Sequence, residues 1–141
     1  MTNKLYYLAS PYSHPDPVVK KNRAEIVTES AVDLLHLGVF VFAPIAYNEP
    51  WEKYNLPGDW QFWQDFDKTF VARCDGGIIV LMIDGWDKSV GVTAEIEFAK
   101  SIGLPVYYAT PEQIKSGNLS FLGQATQKTR APSLFCSGQK F

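Results

Sequence analysis

The sequence has little cysteine: Cys74 and Cys136 are the only two in 141 residues, and they stand far apart. Without a Cys-x-x-Cys pair or a histidine at metal-ligand spacing, neither a disulfide framework nor a zinc site is indicated, and no metal or cofactor is expected. An excess of either charge is also missing. Thirteen basic and 15 acidic side chains leave a formal net charge of -2. A nucleic-acid polymer is normally met by a basic patch, so no such partner is expected, nor is a polybasic membrane anchor. No apolar run approaches the roughly 18 residues of a membrane span. The opening run Lys4-Leu5-Tyr6-Tyr7-Leu8-Ala9 is too short for a secretion signal. These absences predict a soluble, cytoplasmic protein. The length suits one domain over residues 1–141, since compact domains commonly run to about 100–150 residues. Aromatic residues are plentiful instead, at 14%, with Trp51, Trp60 and Trp63 within 13 positions.

Hydrophobic patterning predicts alternating strands and helices. Lys4–Ser10 is a short apolar run stopped by Pro11, as in a strand buried on both faces. From Val18 to Leu37 the apolar positions recur at helical spacing, and Gly38 ends the helix. Val39–Pro44 reads as a second strand, Ile45–Pro57 as a long loop, and Trp60–Cys74 as a helix. Gly77–Ile83 is a third strand, Val90–Ile102 a helix closed by Gly103, and Pro105–Ala109 a fourth strand. This order predicts an α/β fold, a flavodoxin/Rossmann-like three-layer sandwich with a mainly parallel sheet over residues 4–110. Ligands of such sheets bind beyond the carboxyl ends of the strands. Residues 117–141 read as a polar tail with scattered apolar side chains, suited to packing on a neighbouring subunit.

Two carboxylates stand out on helical projection. In the last helix Val92, Ile96, Ala99 and Ile102 gather on the side that must face the sheet, and Glu95 projects among them. A capping role does not explain it. With Ser89 as N-cap the capping-box position is Val92, and Glu95 lies deeper. In the preceding helix Phe62, Trp63, Phe66, Phe70 and Cys74 form an apolar stripe with Asp67 on its edge, where it either reaches solvent or serves a site. Asp75 falls at the amino end of a strand and reads as a backbone-bonding residue. An inward carboxylate with a second one near suits nucleophilic and acid–base work on a polar small molecule, as in glycosyl transfer. The loop Gly85–Gly91 supplies glycines, a hydroxyl and a helix N-terminus, which suit an anion or equally a plain tight turn. The tryptophans of residues 51–63, with Tyr54, read as core and subunit interface or as a lid over a flat base. Trp86 is the better candidate for contact with a base or sugar.

Three segments resemble the nucleoside 2-deoxyribosyltransferase superfamily, which includes the 2'-deoxynucleoside 5'-monophosphate N-glycosidases. Tyr7-Leu8-Ala9-Ser10-Pro11-Tyr12 is similar to its first-strand motif, and Asp67 ahead of Asp75 to the helix carrying its active-site Asp. Ser89-Val90-Gly91-Val92-Thr93-Ala94-Glu95 resembles its Ser-x-Gly-x-x-x-Glu element. The resemblance implies that Glu95 attacks C1' of the sugar, that Asp67 protonates the departing base, and that Tyr7 bonds the carboxylate or sugar. It places Ser10, Pro11, Tyr12, Trp86, Ser89 and Gly91 against the substrate, with Ser89 toward a 5'-phosphate. Pro11 departs from the monophosphate enzymes, which carry a Ser near there. The implied protein is a homodimer or higher oligomer acting on a nucleoside or its monophosphate. A nucleotide-binding module without turnover and an NAD glycohydrolase remain as alternatives.

Overall fold

The computed structural model describes residues 3–123. Strand β1 (Leu5–Ala9) leads to helix α1 (Pro17–His36), strand β2 (Phe40–Phe42) and helix α2 (Pro44–Asn48). A 3₁₀ segment (Glu49–Tyr54), helix α3 (Trp60–Arg73) and strand β3 (Gly77–Leu81) follow. A 3₁₀ turn (Trp86–Lys88), helix α4 (Val90–Ser101), strand β4 (Val106–Ala109) and helix α5 (Pro111–Lys115) complete the order before a last 3₁₀ turn at Ser120–Gly123. The four strands are all parallel and ordered β2-β1-β3-β4. The chain therefore turns outward in opposite directions from β1 and β3, and a crevice opens between the carboxyl ends of these two strands.

Alternation along each strand divides the core into two layers around the sheet. Leu8, Ile79 and Leu81 face one way and pack with Val27 and Leu34 of α1 and Ile114 of α5. Tyr7, Ala9, Ile78 and Val80 face the other way, against Val71 of α3 and Val92 and Ala99 of α4. The result is a three-layer α/β sandwich of the flavodoxin/Rossmann type. Asp75 ties the sheet's amino end together by accepting a hydrogen bond from the Leu5 amide at 2.8 Å. Among the described residues no helix is long and apolar enough to cross a membrane.

Helix starts follow local chemistry. Asp16 caps α1 by accepting from the Val18 amide, with Pro17 in the first turn, where its missing N–H costs nothing. Asp59 caps α3 through the Phe62 amide. Gly77 begins β3 at φ +96°, and a Cβ there would lie 2.3 Å from the Pro105 carbonyl oxygen. That same oxygen accepts the Ile78 amide at 3.0 Å, so the close approach belongs to the β3–β4 ladder. Gly77→Ala is accordingly expected to destabilise the fold by about 3 kcal/mol or more, which urea unfolding would measure.

Three local expectations need correction. The stretch 45–57 is not a loop throughout: Pro44 starts α2, Pro50 sits in the first turn of the 3₁₀ segment, and Asn55 ends that segment in the left-handed region at φ 63°. Prolines tolerated at first turns were misread as breakers. Ile102 does not face the sheet; it lies past the last helical residue of α4 and is exposed. Phe62 is exposed as well, because only the C-terminal half of α3, from Val71 to Cys74, reaches the core. Of the expected tail, Phe121 is buried in this chain's own core beside Ile114, while residues 124–141, Cys136 among them, lie outside the described residues.

Candidate active site

A cavity of about 770 Å³ opens at the carboxyl edge of the sheet, within the usual range for small-molecule sites. Ser10 comes to it from the end of β1, Asp67 from α3, and Ser89 and Glu95 from the start of α4 after β3. The site thus occupies the crevice between β1 and β3, where the direction of winding reverses. Helix α3 forms a wall, with Trp60, Trp63 and Asp67 on the cavity side.

Glu95 is 5% exposed and fully enclosed by the α4–sheet interface apart from its opening to the cavity. The Tyr7 hydroxyl donates to Glu95 Oε2 at 2.6 Å. Tyr7 itself has no exposed surface and does not line the cavity; it supports the carboxyl from behind, out of the β1 core row. Burial pushes the Glu95 carboxyl well above the usual carboxylate range, and the neighbouring Asp67 charge raises it further. The Tyr7 hydrogen bond pulls it back down. Burial likewise holds the Tyr7 phenol well above its ordinary value, with Glu95 next to it, so Tyr7 remains a donor.

Asp67 is raised to about 6, chiefly by burial, against the hydrogen-bonding influence of Glu95 and Tyr7. Its Oδ1 is buried without a hydrogen-bond partner among the described residues. Two adjacent carboxyls in a low-dielectric pocket cannot both ionise cheaply, so near neutral pH the pair holds one proton. Burial weighs more heavily on Glu95, the more deeply buried member, and so favours the proton there. Moving it to Asp67 creates an ionised Glu95 and a protonated Asp67 side by side: a nucleophile and an acid.

The rim is polar and partly basic. Ser89 caps α4, its hydroxyl oxygen accepting from the Val92 amide at 3.2 Å, which leaves the O–H free to donate. Arg23 spans two loops, donating to the carbonyls of Ser13 (2.9 Å) and Asp84 (3.2 Å). The Tyr12 hydroxyl donates to Glu52 at 2.6 Å, and Lys20 pairs with the same carboxylate. Trp63 is fixed by its indole N–H bonding the Pro57 carbonyl at 2.7 Å and by the edge of Phe66. Among the described residues no cluster of His, Cys, Asp and Glu could hold a metal ion.

Of the residues singled out by sequence, Ser10, Pro11, Tyr12, Asp67, Ser89, Gly91 and Glu95 line one cavity, with Tyr7 behind it. Trp86 is a correction. Gly85 at φ +92° and the 3₁₀ turn after it carry the indole away from the cavity and onto Tyr108 of β4, ring centres 5.6 Å apart. Tyr54 is exposed and off the cavity, whereas Trp51, Trp60 and Trp63 all line it. Sequence reasoning passed over Lys20, Arg23, Asn48 and Glu52. Asn48 carried a usable signal, its place just after the carboxyl end of β2. Lys20 and Arg23 carried none, being ordinary polar positions of a helix in the sequence, half-buried only by the loops packed over them.

A family model described as a domain of unknown function (DUF1937) matches residues 4–110. No curated protein matches the chain.

Proposed function

The chain belongs to the DUF1937 family, and we propose that it cleaves or transfers the N-glycosidic bond of a nucleoside or its 5'-monophosphate through Glu95. One observation carries this reading: a buried Glu95–Asp67 pair, backed by the Tyr7 hydroxyl, at the floor of a nucleotide-sized cavity. Glu95 oxygen forms a bond to C1' as the C1'–N bond breaks, and the departing electron pair on the base nitrogen takes the Asp67 proton. Water, or a second base, then bonds to C1' as the C1'–O bond of the glycosyl ester breaks and returns the Glu95 carboxylate, while Asp67 accepts the proton released. The Tyr7 hydrogen bond favours the ionised form of Glu95 in the first step.

The reading extends to an enzyme that needs no cofactor, works in the cytoplasm on a small molecule, and assembles as a homodimer or larger homo-oligomer. Light scattering on the eluting protein would test the assembly. Incubation with a panel of nucleosides, their 5'-monophosphates and NAD, followed by chromatography for free base, tests the chemistry. Release of base from at least one compound is the expected result, and no release from any would overturn the reading. Tyr7→Phe is expected to leave the fold intact but slow base release about 10–100-fold, the worth of one hydrogen bond to a charged group. Steady-state rates of the purified variant would check this.

A further inference from the structure

Three buried side-chain oxygens lack a hydrogen-bond partner among the described residues: Ser10 Oγ, Asn48 Oδ1 and Asp67 Oδ1. All three belong to residues that line the cavity at the carboxyl edge of the sheet. An unpaired buried polar group costs a fold about 1–3 kcal/mol, so three around one cavity mark groups held open for a ligand. The chemistry of bond cleavage uses Asp67, and Ser10 lies beside it at the end of β1. Asn48 has no part in that chemistry. It ends α2, which follows β2, on the opposite side of β1 from β3, the strand that leads to Glu95.

We infer that Asn48 is the residue that selects the base, and that it selects a base carrying an exocyclic amino group, of the adenine or cytosine class. This deepens the proposed function and rests on it. Placement of both residues on one cavity, on opposite sides of β1, suits a base whose sugar carbon lies at Glu95 and whose far edge lies at Asn48. Glu49, half-buried and also on the cavity wall, follows Asn48 in the chain. Two neighbouring acceptors, an amide oxygen and a carboxylate, meet the two N–H groups of an amino substituent. A keto oxygen at the same place would face acceptors and leave Asn48 Oδ1 unpaired. Trp51 stands beside them on the wall, its ring set by the edges of Tyr47 (5.2 Å) and Phe66 (6.3 Å), and offers a fixed aromatic surface to the base.

The test uses the full-length Glu95→Gln protein, so that ligands survive, and calorimetric titration with amino and keto partners: deoxyadenosine against deoxyinosine monophosphate, deoxycytidine against deoxyuridine monophosphate. The amino member of a pair is expected to bind at least about 10-fold more tightly, because the keto member leaves a buried acceptor unpaired. Adding Asn48→Leu is expected to bring the two affinities to within about 2-fold of each other. The melting temperature of that variant should not fall, since an apolar side chain removes an acceptor that had no partner. A purely structural asparagine would do the reverse, lowering the melting temperature and leaving discrimination alone. Equal binding of both members, or tighter binding of the keto member, overturns the base assignment while leaving the glycosidic chemistry standing. Binding of none of the four, nor of the corresponding free nucleosides, removes both.

Discussion

Glu95→Gln is expected to slow base release by about 10³-fold or more and, at neutral pH, to make the protein more stable. The loss follows from chemistry: an amide has no oxygen able to form the glycosyl ester, and removal of a covalent nucleophile is among the largest single effects in enzymes. The gain in stability follows from burial. Glu95 is enclosed beside Asp67, and both carboxyls are raised by desolvation. In the unfolded chain each ionises near its ordinary value, about 4. Between that value and the raised ones the folded state binds more protons than the unfolded state, so stability falls as pH rises. Their contribution is fully present below about pH 4 and is lost as pH climbs through about 6 and beyond. Replacing Glu95 by its neutral near-isostere removes one source of this decline. A gain on the order of 1–3 kcal/mol at pH 7 is expected, with a flatter dependence of melting temperature on pH between 4 and 8. Melting scans across that range, paired with rate measurements, check both halves. A variant that was inactive but less stable at every pH would instead mark Glu95 as a structural residue.

The second large effect concerns the proton shared with Asp67. In the proposed mechanism the active form of the pair carries one proton, with Glu95 ionised and Asp67 protonated. At low pH both carboxyls are protonated and the nucleophile is lost; at high pH both are ionised and the acid is lost. The rate should therefore pass through a maximum, with its acid limb near pH 6, the value to which burial raises Asp67, and its alkaline limb higher. These limbs belong to the pair rather than to either residue. Asp67→Asn is expected to slow base release by about 10²–10⁴-fold, the usual worth of a positioned general acid. With the partner charge gone, Glu95 should titrate lower, so the remaining activity should rise to a plateau without an alkaline limb. A substrate with a better leaving group, such as a base already carrying positive charge, should recover much of the lost rate in Asp67→Asn. It should recover none in Glu95→Gln. Profiles of kcat with both substrates would separate an acid from a residue that merely holds the site together.

The contrast between the two carboxylates also tells how far a sequence can be read. Glu95 was legible because a helix imposes a fixed angle per residue: a carboxylate at that position had to lie among Val92, Ile96 and Ala99, whatever lay opposite. The same rule left Asp67 undecided, since an edge position reaches either solvent or a site depending on what is packed next to it. The packing of α3 as a wall of the cavity decided the matter, and that packing has no signature in the chain. Trp86 failed for a related reason. A residue in a strand-end loop lies near the site by topology, but one left-handed glycine, Gly85, turned its side chain onto β4 instead.

By itself, then, the sequence determined what depends on periodicity and local chemistry. Alternating apolar runs and helical spacings required an α/β sandwich, the Ser89 cap placed the start of α4, and Glu95 had to point inward. Only the tertiary structure decided what depends on long-range approach. It set Tyr7 Oη 2.6 Å from a carboxylate 88 positions away, brought Asp67 close enough to share its proton, and gathered Ser10, Asn48 and Asp67 with their buried oxygens unpaired around one cavity. Side-chain periodicity fixes a direction relative to one element. The distance between elements comes from how their layers pack, and the chemistry of this site is a matter of those distances.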